Sequence, residues 1–267
     1  MKKLKLSSKD PTQQGKNRKG AKKFVDSATV AASAAIIAWA ESVPFAEDGD
    51  KVSYLLPEDT NPNFDFEGIL LAALLLNGGF FMDQNIEGAF RSGALATERD
   101  LMQQISSHEH TFMPYNFDSV FQSREYKATL NAYQSSARDS INGVAKDTSA
   151  RISGLLLLGM SSGKQIQEII DEIRRQMEIF NSRIDRVVNT TINQGLNQGK
   201  MIALGLAATA LHVDGVVMHK SALIPTTRPH HAARHNKLYS IEDQNRWWSS
   251  GSNRINCYCS IHPVLKL

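Results

Sequence analysis

The feature that most constrains the fold of this chain is a helical repeat of apolar residues in its second half. Ile166, Ile169, Ile170, Ile173 and Met177 recur at three- and four-residue spacing, which is the pattern of an amphipathic helix. Such a helix is stable only when its apolar face packs against other apolar surface. We therefore interpret this stripe, and the similar stripes elsewhere in the chain, as core.

Further elements follow this helix in a regular order. The turn formers Asn181–Ser182 predict its end and the start of a second amphipathic helix, which ends near Asn193–Gly195. Residues 196–211, which are rich in Ala and Leu, predict a third helix. Residues 213–218 and 261–264 have the character of strands.

The sequence predicts a predominantly helical α+β fold, with a helical N-terminal part followed by a small mixed α/β C-terminal module. A hydrophobic share of 42% and a charged share of 21% are those of a folded protein, which excludes a wholly disordered chain. We divide the chain into a basic, disordered arm (1–23), a helical N-terminal region (24–149) and the C-terminal module (150–267).

The positive charge of the chain is concentrated at its start. Residues 1–23 contain nine Lys and Arg residues and one acidic residue, a net +8, whereas the whole chain carries +3, so the remainder carries −5. A cationic segment gains affinity for nucleic acid by releasing counterions, although a basic tail can also serve only for solubility. The candidate contacts with nucleic acid are Lys2, Lys3, Lys5, Lys16, Arg18, Lys19, Lys22 and Lys23.

The sequence gives no indication of a membrane-spanning segment. The longest uncharged stretch, Gly68–Met82, is shorter than the ~20 residues that a spanning helix needs, and Asn77–Gly79 interrupts it. The Ala-rich residues 24–39 predict a helix that packs on an apolar surface. The basic start is followed by a polar stretch, so no signal peptide is evident.

The chain has two cysteines, Cys257 and Cys259, which stand one residue apart. Cysteines this close do not easily bridge each other, because a disulfide needs Cα atoms about 4.4–6.8 Å apart and converging Cβ vectors. So few cysteines suit a reducing compartment. Metal ligation, free thiols and plain packing remain as roles.

Histidines that could share an ion with these cysteines precede them. Pro229 suits the first turn of a helix and Asn236 suits the left-handed residue that ends one, so we predict a helix of about two turns between them. Residues four apart share a face of such a helix. The predicted ligands of a tetrahedral, structural Zn²⁺ site are His231, His235, Cys257 and Cys259.

Two alternatives for this group stay open. His230 or His262 can replace one of the two histidines. The histidines can also cap and hydrogen-bond locally while the thiols pack in the core, because C-x-C is tighter than the C-x₂₋₄-C spacing of most structural zinc sites.

A capping pattern lies between the histidines and the cysteines. Ser240, with Asp243 three residues later, predicts the start of a helix that ends near Gly251. Trp247 and Trp248 on this helix are predicted to anchor a segment with few other apolar residues.

We do not expect catalysis. A zinc hydrolase needs an open coordination position and a general base, and the chain has no HExxH motif. The carboxylates near the histidines are limited to Glu242 and Asp243. Two alternative functions stay open. One is a metal-dependent nuclease or toxin-like domain that acts on nucleic acid, and the other is a nucleic-acid-binding module that works through the basic arm.

The histidine and cysteine groups also form a combined pattern. The motif residues, in order, are Arg228, His231, Asn236, Asn256, Cys257 and Cys259. In this pattern the segment resembles the phage head morphogenesis family, the minor head proteins similar to the phage Mu F protein. That family's module ends in Arg-x-x-His-x-x-x-x-Gly, a variable stretch and Asn-Cys-Arg-Cys, and the resemblance covers roughly residues 150–265.

The segment departs from the family pattern at several positions. Asn236 stands where the family usually has glycine, and both residue types tolerate a positive φ. Tyr258 replaces the arginine between the cysteines, and Val188–Thr191 replaces a frequent Ala-Arg-Thr-Glu. Ile224 and Thr226 occupy the positions of an acidic residue and a first arginine.

The resemblance implies a structural role in a virion. It implies a few copies in the phage head near the portal vertex, which help procapsid assembly and DNA packaging or ejection. The implied partners are the portal protein, other head proteins and the packaged double-stranded DNA. The implied location is the head interior or the portal vertex, with host cytoplasm during assembly.

Overall fold

The computed structural model describes residues 14–48, 51–55, 65–76, 79–107 and 116–267. Over these residues the chain forms eight helices and seven strands, which confirms the predominantly helical α+β class. The helices are α1 (Gln14–Ser42), α2 (Phe66–Ala73), α3 (Phe81–Ser106), α4 (Asp118–Gln122), α5 (Arg124–Ser161), α6 (Ile166–Ala210), α7 (Pro229–Ala232) and α8 (Ile241–Ser249). The strands are β1 (Phe45–Asp48), β2 (Lys51–Tyr54), β3 (Leu75–Leu76), β4 (Gly79–Phe80), β5 (Asp214–Lys220), β6 (Leu238–Ser240) and β7 (Ser260–Lys266).

The described residues form two compact units. The C-terminal unit contains Met82–Ser136 and Val188–Leu267 together with the first residues of α1. The α1 unit contains Gly20–Phe81 and Ala137–Val187. The chain passes from one unit to the other within α1, α3, α5 and α6. The sequence-based division at residues 23 and 149 stays a prediction.

The basic arm differs in part from the disorder expected for residues 1–23. Helix α1 begins at Gln14, so the last ten of these residues are helical. Ala21, Val25 and Ala28 are buried along one face of the helix. Once that face is packed, each residue added toward the N-terminus gains a backbone hydrogen bond at little further cost. Residues 1–13 lie outside the described residues.

Helix α1 supplies the apolar face of the α1 unit, as predicted for residues 24–39. Ala28, Ala32, Ile36 and Ala40 follow each other at four-residue spacing and are all buried. By length and composition alone, Arg18–Ser42 is apolar enough to cross a membrane, a test that core helices of soluble proteins also pass. The buried stripe accounts for part of this apolar composition, since 33% of the apolar window is buried.

Helix α6 is a single helix of 45 residues where the sequence predicts three. The turns predicted at Asn181–Ser182 and Asn193–Gly195 are wrong. The side chain of Asn181 donates to a carboxylate of α1, and that of Asn193 donates to the carbonyl oxygen of Cys257. Asn is a poor helix former because its side chain competes for local backbone groups, and these tertiary partners remove that competition.

Two glycines let α3 and α6 approach closely in the C-terminal unit. A Cβ atom on Gly93 would lie 2.1 Å from the carbonyl oxygen of Leu196, and a Cβ atom on Gly199 would lie 2.1 Å from that of Phe90. No side chain fits at such a distance from backbone. These glycines therefore serve helix packing rather than a turn.

The sheet of the C-terminal unit has the antiparallel order β6-β5-β7. Its strands β5 and β7 confirm those predicted at residues 213–218 and 261–264. Val217 and His219 lie on the same face of β5, because side chains alternate along a strand, and both are fully buried. The sheet thus holds a histidine in the core.

Helix α8 forms as its capping pattern predicts. The hydroxyl oxygen of Ser240 accepts from the backbone N–H of Asp243 at 3.0 Å, and the helix ends at Ser249. Trp248 is buried, as expected for an anchor. Trp247 is only half-buried and lies beside the histidines described below.

Candidate metal centre

Three of the four predicted zinc ligands come together in the C-terminal unit. His231 lies on α7, while Cys257 and Cys259 precede β7, and all three side chains are buried. Nδ1 of His231 is 3.4 Å from Sγ of Cys259 and 3.5 Å from Sγ of Cys257. The three donor atoms lie within 4.8 Å of one another, and both thiols are free. We call these three residues the His/Cys cluster.

The spacing of the His/Cys cluster fits a tetrahedral ion. A zinc ion with a Zn–N distance of about 2.0 Å and a Zn–S distance of about 2.3 Å holds its nitrogen and sulfur ligands about 3.5 Å apart. The two nitrogen–sulfur distances of the cluster, 3.4 and 3.5 Å, agree with this value. Two thiols and one imidazole are also the donor types that zinc prefers.

Burial and neighbouring groups set the protonation of the cluster. The pKa of Cys259 is lowered, first by the thiol of Cys257 and then by His219 and His231. The pKa of Cys257 is raised by the same thiol pair and by burial. Burial also lowers the pKa of His231. A thiolate and a neutral imidazole are the forms in which these side chains bind a metal ion.

The structure does not bring His235 into the His/Cys cluster. Helix α7 ends at Ala232, and the N–H groups of Arg234 and His235 bond to carbonyls three residues back. Around the helix axis, side chains four residues apart are separated by about 40° in an α-helix but by about 120° in such tight turns. His231 and His235 therefore do not share a face, although Asn236 has the predicted positive φ of 61°.

The two substitute histidines also lie outside the cluster. Nε2 of the exposed His230 is 3.0 Å from the side-chain oxygen of Asn253. Nδ1 of His262 is 3.3 Å from a carboxylate oxygen of Asp100 on α3. Each of these two histidines thus has a local polar partner. This agrees with the alternative in which the histidines form local hydrogen bonds and bind no metal.

Helix α6 fixes the backbone of the C-x-C segment through a buried polar stripe. Asn193 donates to the carbonyls of Cys257 and Cys259 at 2.7 and 2.9 Å. Asn197 donates to the Cys259 carbonyl at 3.1 Å and accepts from the N–H of Ile261 at 3.2 Å. Lys200 donates to the Ile261 carbonyl at 2.9 Å. Sequence reasoning missed this stripe, although its spacing of four and three residues marks one helix face.

The motif residues hold the loop before the cysteines. The guanidinium of Arg228 donates to the carbonyls of Ser252 and Ile255 at 2.6 and 2.8 Å. Asn256 has a φ of 48°, and its N–H donates to the hydroxyl of Thr190 on α6 at 2.8 Å. The motif thus acts through backbone geometry around the cluster.

A small pocket opens beside the His/Cys cluster. Its volume is about 240 Å³, and it is lined by His231 and both cysteines together with Arg228, Tyr258 and neighbouring residues. Among the described residues that line it there is no Asp or Glu. The described lining of this pocket therefore offers no carboxylate that could act as a general base in hydrolysis.

The predicted cationic contacts differ in their surroundings. Lys2, Lys3 and Lys5 lie outside the described residues, as does the side chain of Lys16. The guanidinium of Arg18 lies 4.6 Å from the centre of the Tyr258 ring, between the cysteines. Lys22 pairs with Asp185 at 2.7 Å and with Asp26 at 3.2 Å, whereas Lys19 and Lys23 are exposed.

The fold and the cluster define a helical protein with a small antiparallel sheet and a buried His/Cys cluster near its C-terminal end. Residues 150–262 match the family model described as Phage Mu protein F like protein. The match confirms the resemblance of this segment to the phage head morphogenesis family. Searches of curated proteins and of solved structures give no match.

Proposed function

We propose that this protein is a minor structural protein of the head of a tailed phage. In this proposal it acts in head and procapsid assembly near the portal and in DNA packaging or ejection. The observation that carries the proposal is the family match over residues 150–262, which contains every motif residue of the site. Its partners are the portal protein and other head proteins, and it resides in the head interior or at the portal vertex.

The direct test is to follow the protein through phage assembly. We expect it to copurify with heads and with the portal, and a phage lacking it to form heads with defective assembly or DNA content. Normal, infectious heads from the deletion phage, with none of the protein in wild-type heads, would contradict the proposal.

In the same proposal the His/Cys cluster binds one structural Zn²⁺. The nitrogen–sulfur spacing of 3.4–3.5 Å and the burial of all three donors support it. The ion would link α7 to the C-x-C segment. Elemental analysis of the purified protein should give about one zinc per chain. A protein without bound metal, and with the same melting temperature in chelator, would leave these residues as a hydrogen-bonded cluster.

The proposed role is not catalytic. The pocket beside the cluster lacks a carboxylate lining among the described residues, which supports this view. Incubation with double-stranded DNA and divalent metal ions is expected to give no cleavage. Sustained cleavage that disappears in His231→Ala would instead establish the nuclease alternative.

The basic start of the chain is proposed to contact DNA or the portal. Arg18 and Lys22 already have partners within the protein, so Lys19, Lys23 and the preceding lysines are the better candidates. Removing residues 2–13 leaves α1 intact and should flatten the salt dependence of DNA binding. A matched deletion phage would test the portal contact. DNA binding and portal association that are both unchanged would reject the proposed contact.

A further inference from the structure

His219 is a buried histidine that does not belong to the sequence motif. It is fully buried on β5, and its Nε2 atom makes no hydrogen bond of normal geometry to the described residues, although the ring lies near the thiol of Cys259. A buried polar atom without a partner is destabilising, so such an atom calls for a partner.

The neighbours of His219 fix its tautomer. Arg234 donates to the side-chain oxygen of Gln244 at 3.1 Å, and arginine has only donors, which sets the orientation of the Gln244 amide. The same oxygen lies 3.3 Å from Nδ1 of His219 and can only accept. Nδ1 therefore carries the hydrogen, and Nε2 presents a free lone pair. A ligand histidine whose other N–H is held in this way is typical of metal sites.

His219 is also near the His/Cys cluster. The pairing of β5 with β7 places His219 opposite Ile261 and Lys220 opposite Ser260, next to Cys259. The His219 ring is close enough to Cys259 to lower the pKa of this thiol. The indole ring of Trp247 lies 5.2 Å from the His219 ring and 4.7 Å from that of His231, so one aromatic side chain contacts both histidines.

We propose that Nε2 of His219 is the fourth ligand of the metal centre, in the place that the sequence assigned to His235. The donor set is then Cys257, Cys259, His231 and His219, and the cation it takes is Zn²⁺ or another tetrahedral divalent ion. The inference rests on the proposed zinc binding and deepens it, because four protein ligands make a closed, structural site.

Ligation by His219 requires a shift of its ring. Its nitrogen is outside the group of donor atoms that lie within 4.8 Å of one another, so the imidazole must move closer to that group when the ion binds. The site then joins β5, α7 and the C-x-C segment. Gln244 on α8 holds the ligand in position and ties a further element to the ion.

Cobalt substitution tests the donor set in the full-length protein. Co²⁺ bound by two thiolates and two imidazoles gives a tetrahedral visible spectrum and a sulfur-to-cobalt charge-transfer band. In His219→Cys we expect Co²⁺ to stay bound and the charge-transfer band to rise by about half, since three thiolates replace two. In His219→Ala we expect at least a tenfold loss of Zn²⁺ affinity against a chromophoric chelator.

His235→Ala is the matched control and should leave the spectrum and the affinity unchanged. X-ray absorption of the zinc-loaded protein should give two sulfur and two imidazole ligands, and one imidazole in His219→Ala. An unchanged band in His219→Cys, or loss of an imidazole only in His235→Ala, would overturn the assignment while leaving the metal site in place. A wild-type protein that binds neither ion would instead defeat the proposed zinc site itself.

Discussion

The two units of the molecule are stabilised by different kinds of interaction. In the α1 unit, a stripe of Ala and Ile residues along α1 is buried, and its polar contacts are mostly exposed. In the C-terminal unit, Asn193, Asn197 and Lys200 are buried among hydrogen bonds to the C-x-C backbone.

This difference shows which interactions a sequence pattern reveals. Apolar stripes act through surface area, so their spacing alone predicts which face is buried. Buried polar groups act through partners that are distant in sequence, and each is costly when a partner is removed. Substitutions in the two units should therefore fail in different ways.

The largest effect on stability should come from the apolar core of the α1 unit. Ile36→Ala removes a fully buried side chain and should lower the free energy of unfolding by about 2–5 kcal/mol. Urea unfolding measures the loss, and the zinc content should not change. Val30→Ala, on the same helix but 70% exposed, is the control and should cost less than about 0.5 kcal/mol. Similar losses for both would contradict the packing described for α1.

The buried polar stripe of the C-terminal unit should respond differently. Asn193→Ala leaves the Cys257 carbonyl without this donor and should cost about 1–3 kcal/mol. It should also weaken zinc binding about 10- to 100-fold, because the ligand backbone is no longer fixed. Asn189→Ala, one turn earlier and half-buried, is the control. A loss of stability without any change in metal affinity would show that the stripe does not position the metal ligands.

The motif arginine should have a smaller effect. Arg228→Ala removes two hydrogen bonds to the loop that leads to Cys257 and should cost about 1–2 kcal/mol. Arg228→Lys should not restore both bonds, because one ammonium lacks the planar fork of a guanidinium. Thermal melting of the two variants checks this, and full rescue by lysine would show that only the charge matters.

The smallest effect should come from the exposed ion pairs of Lys22. The pKa of Lys22 is raised by its hydrogen bonds to Asp185 and Asp26. While both carboxylates are ionised, the contribution of these pairs is complete below pH 10.5 and is lost as the pH rises through the raised pKa. Because the pairs are exposed, Lys22→Ala should cost about 0–1 kcal/mol at pH 7. The cost should shrink further in 0.5 M salt. A loss above 2 kcal/mol that salt does not reduce would contradict this.

Much of the fold follows from local sequence. Helix α1, the apolar face at the start of α6, helix α8 with its cap at Ser240, the strands β5 and β7 and the positive φ of Asn236 are set by spacing and by residue type. The turns predicted in α6 are wrong because tertiary contacts can stabilise Asn and Gly within a helix. A hydrogen-bond partner stabilises Asn there, and close packing against another helix stabilises Gly. Both occur in helix α6: Asn193 hydrogen-bonds to the Cys257 carbonyl, and Gly199 packs closely against Phe90.

The site was predictable only in part, for a related reason. The motif identified His231, Cys257 and Cys259, which the structure brings together. His235 was chosen on the assumption of a regular helix, and α7 is too short for it. The buried His219 could have been suspected, since it alternates with Val217 on the apolar face of β5. Its tautomer depends on Gln244 and Arg234, whose positions only the tertiary structure gives.

Hydrogen exchange of the full-length, zinc-loaded protein, with and without a chelator, tests the central claim most directly. If a metal centre closes the C-terminal unit, chelation should sharply speed amide exchange in β5 and β7 while leaving residues 25–40 of α1 unchanged. Unchanged exchange in both strands after the metal has been removed would contradict the claim that the ion holds this unit together.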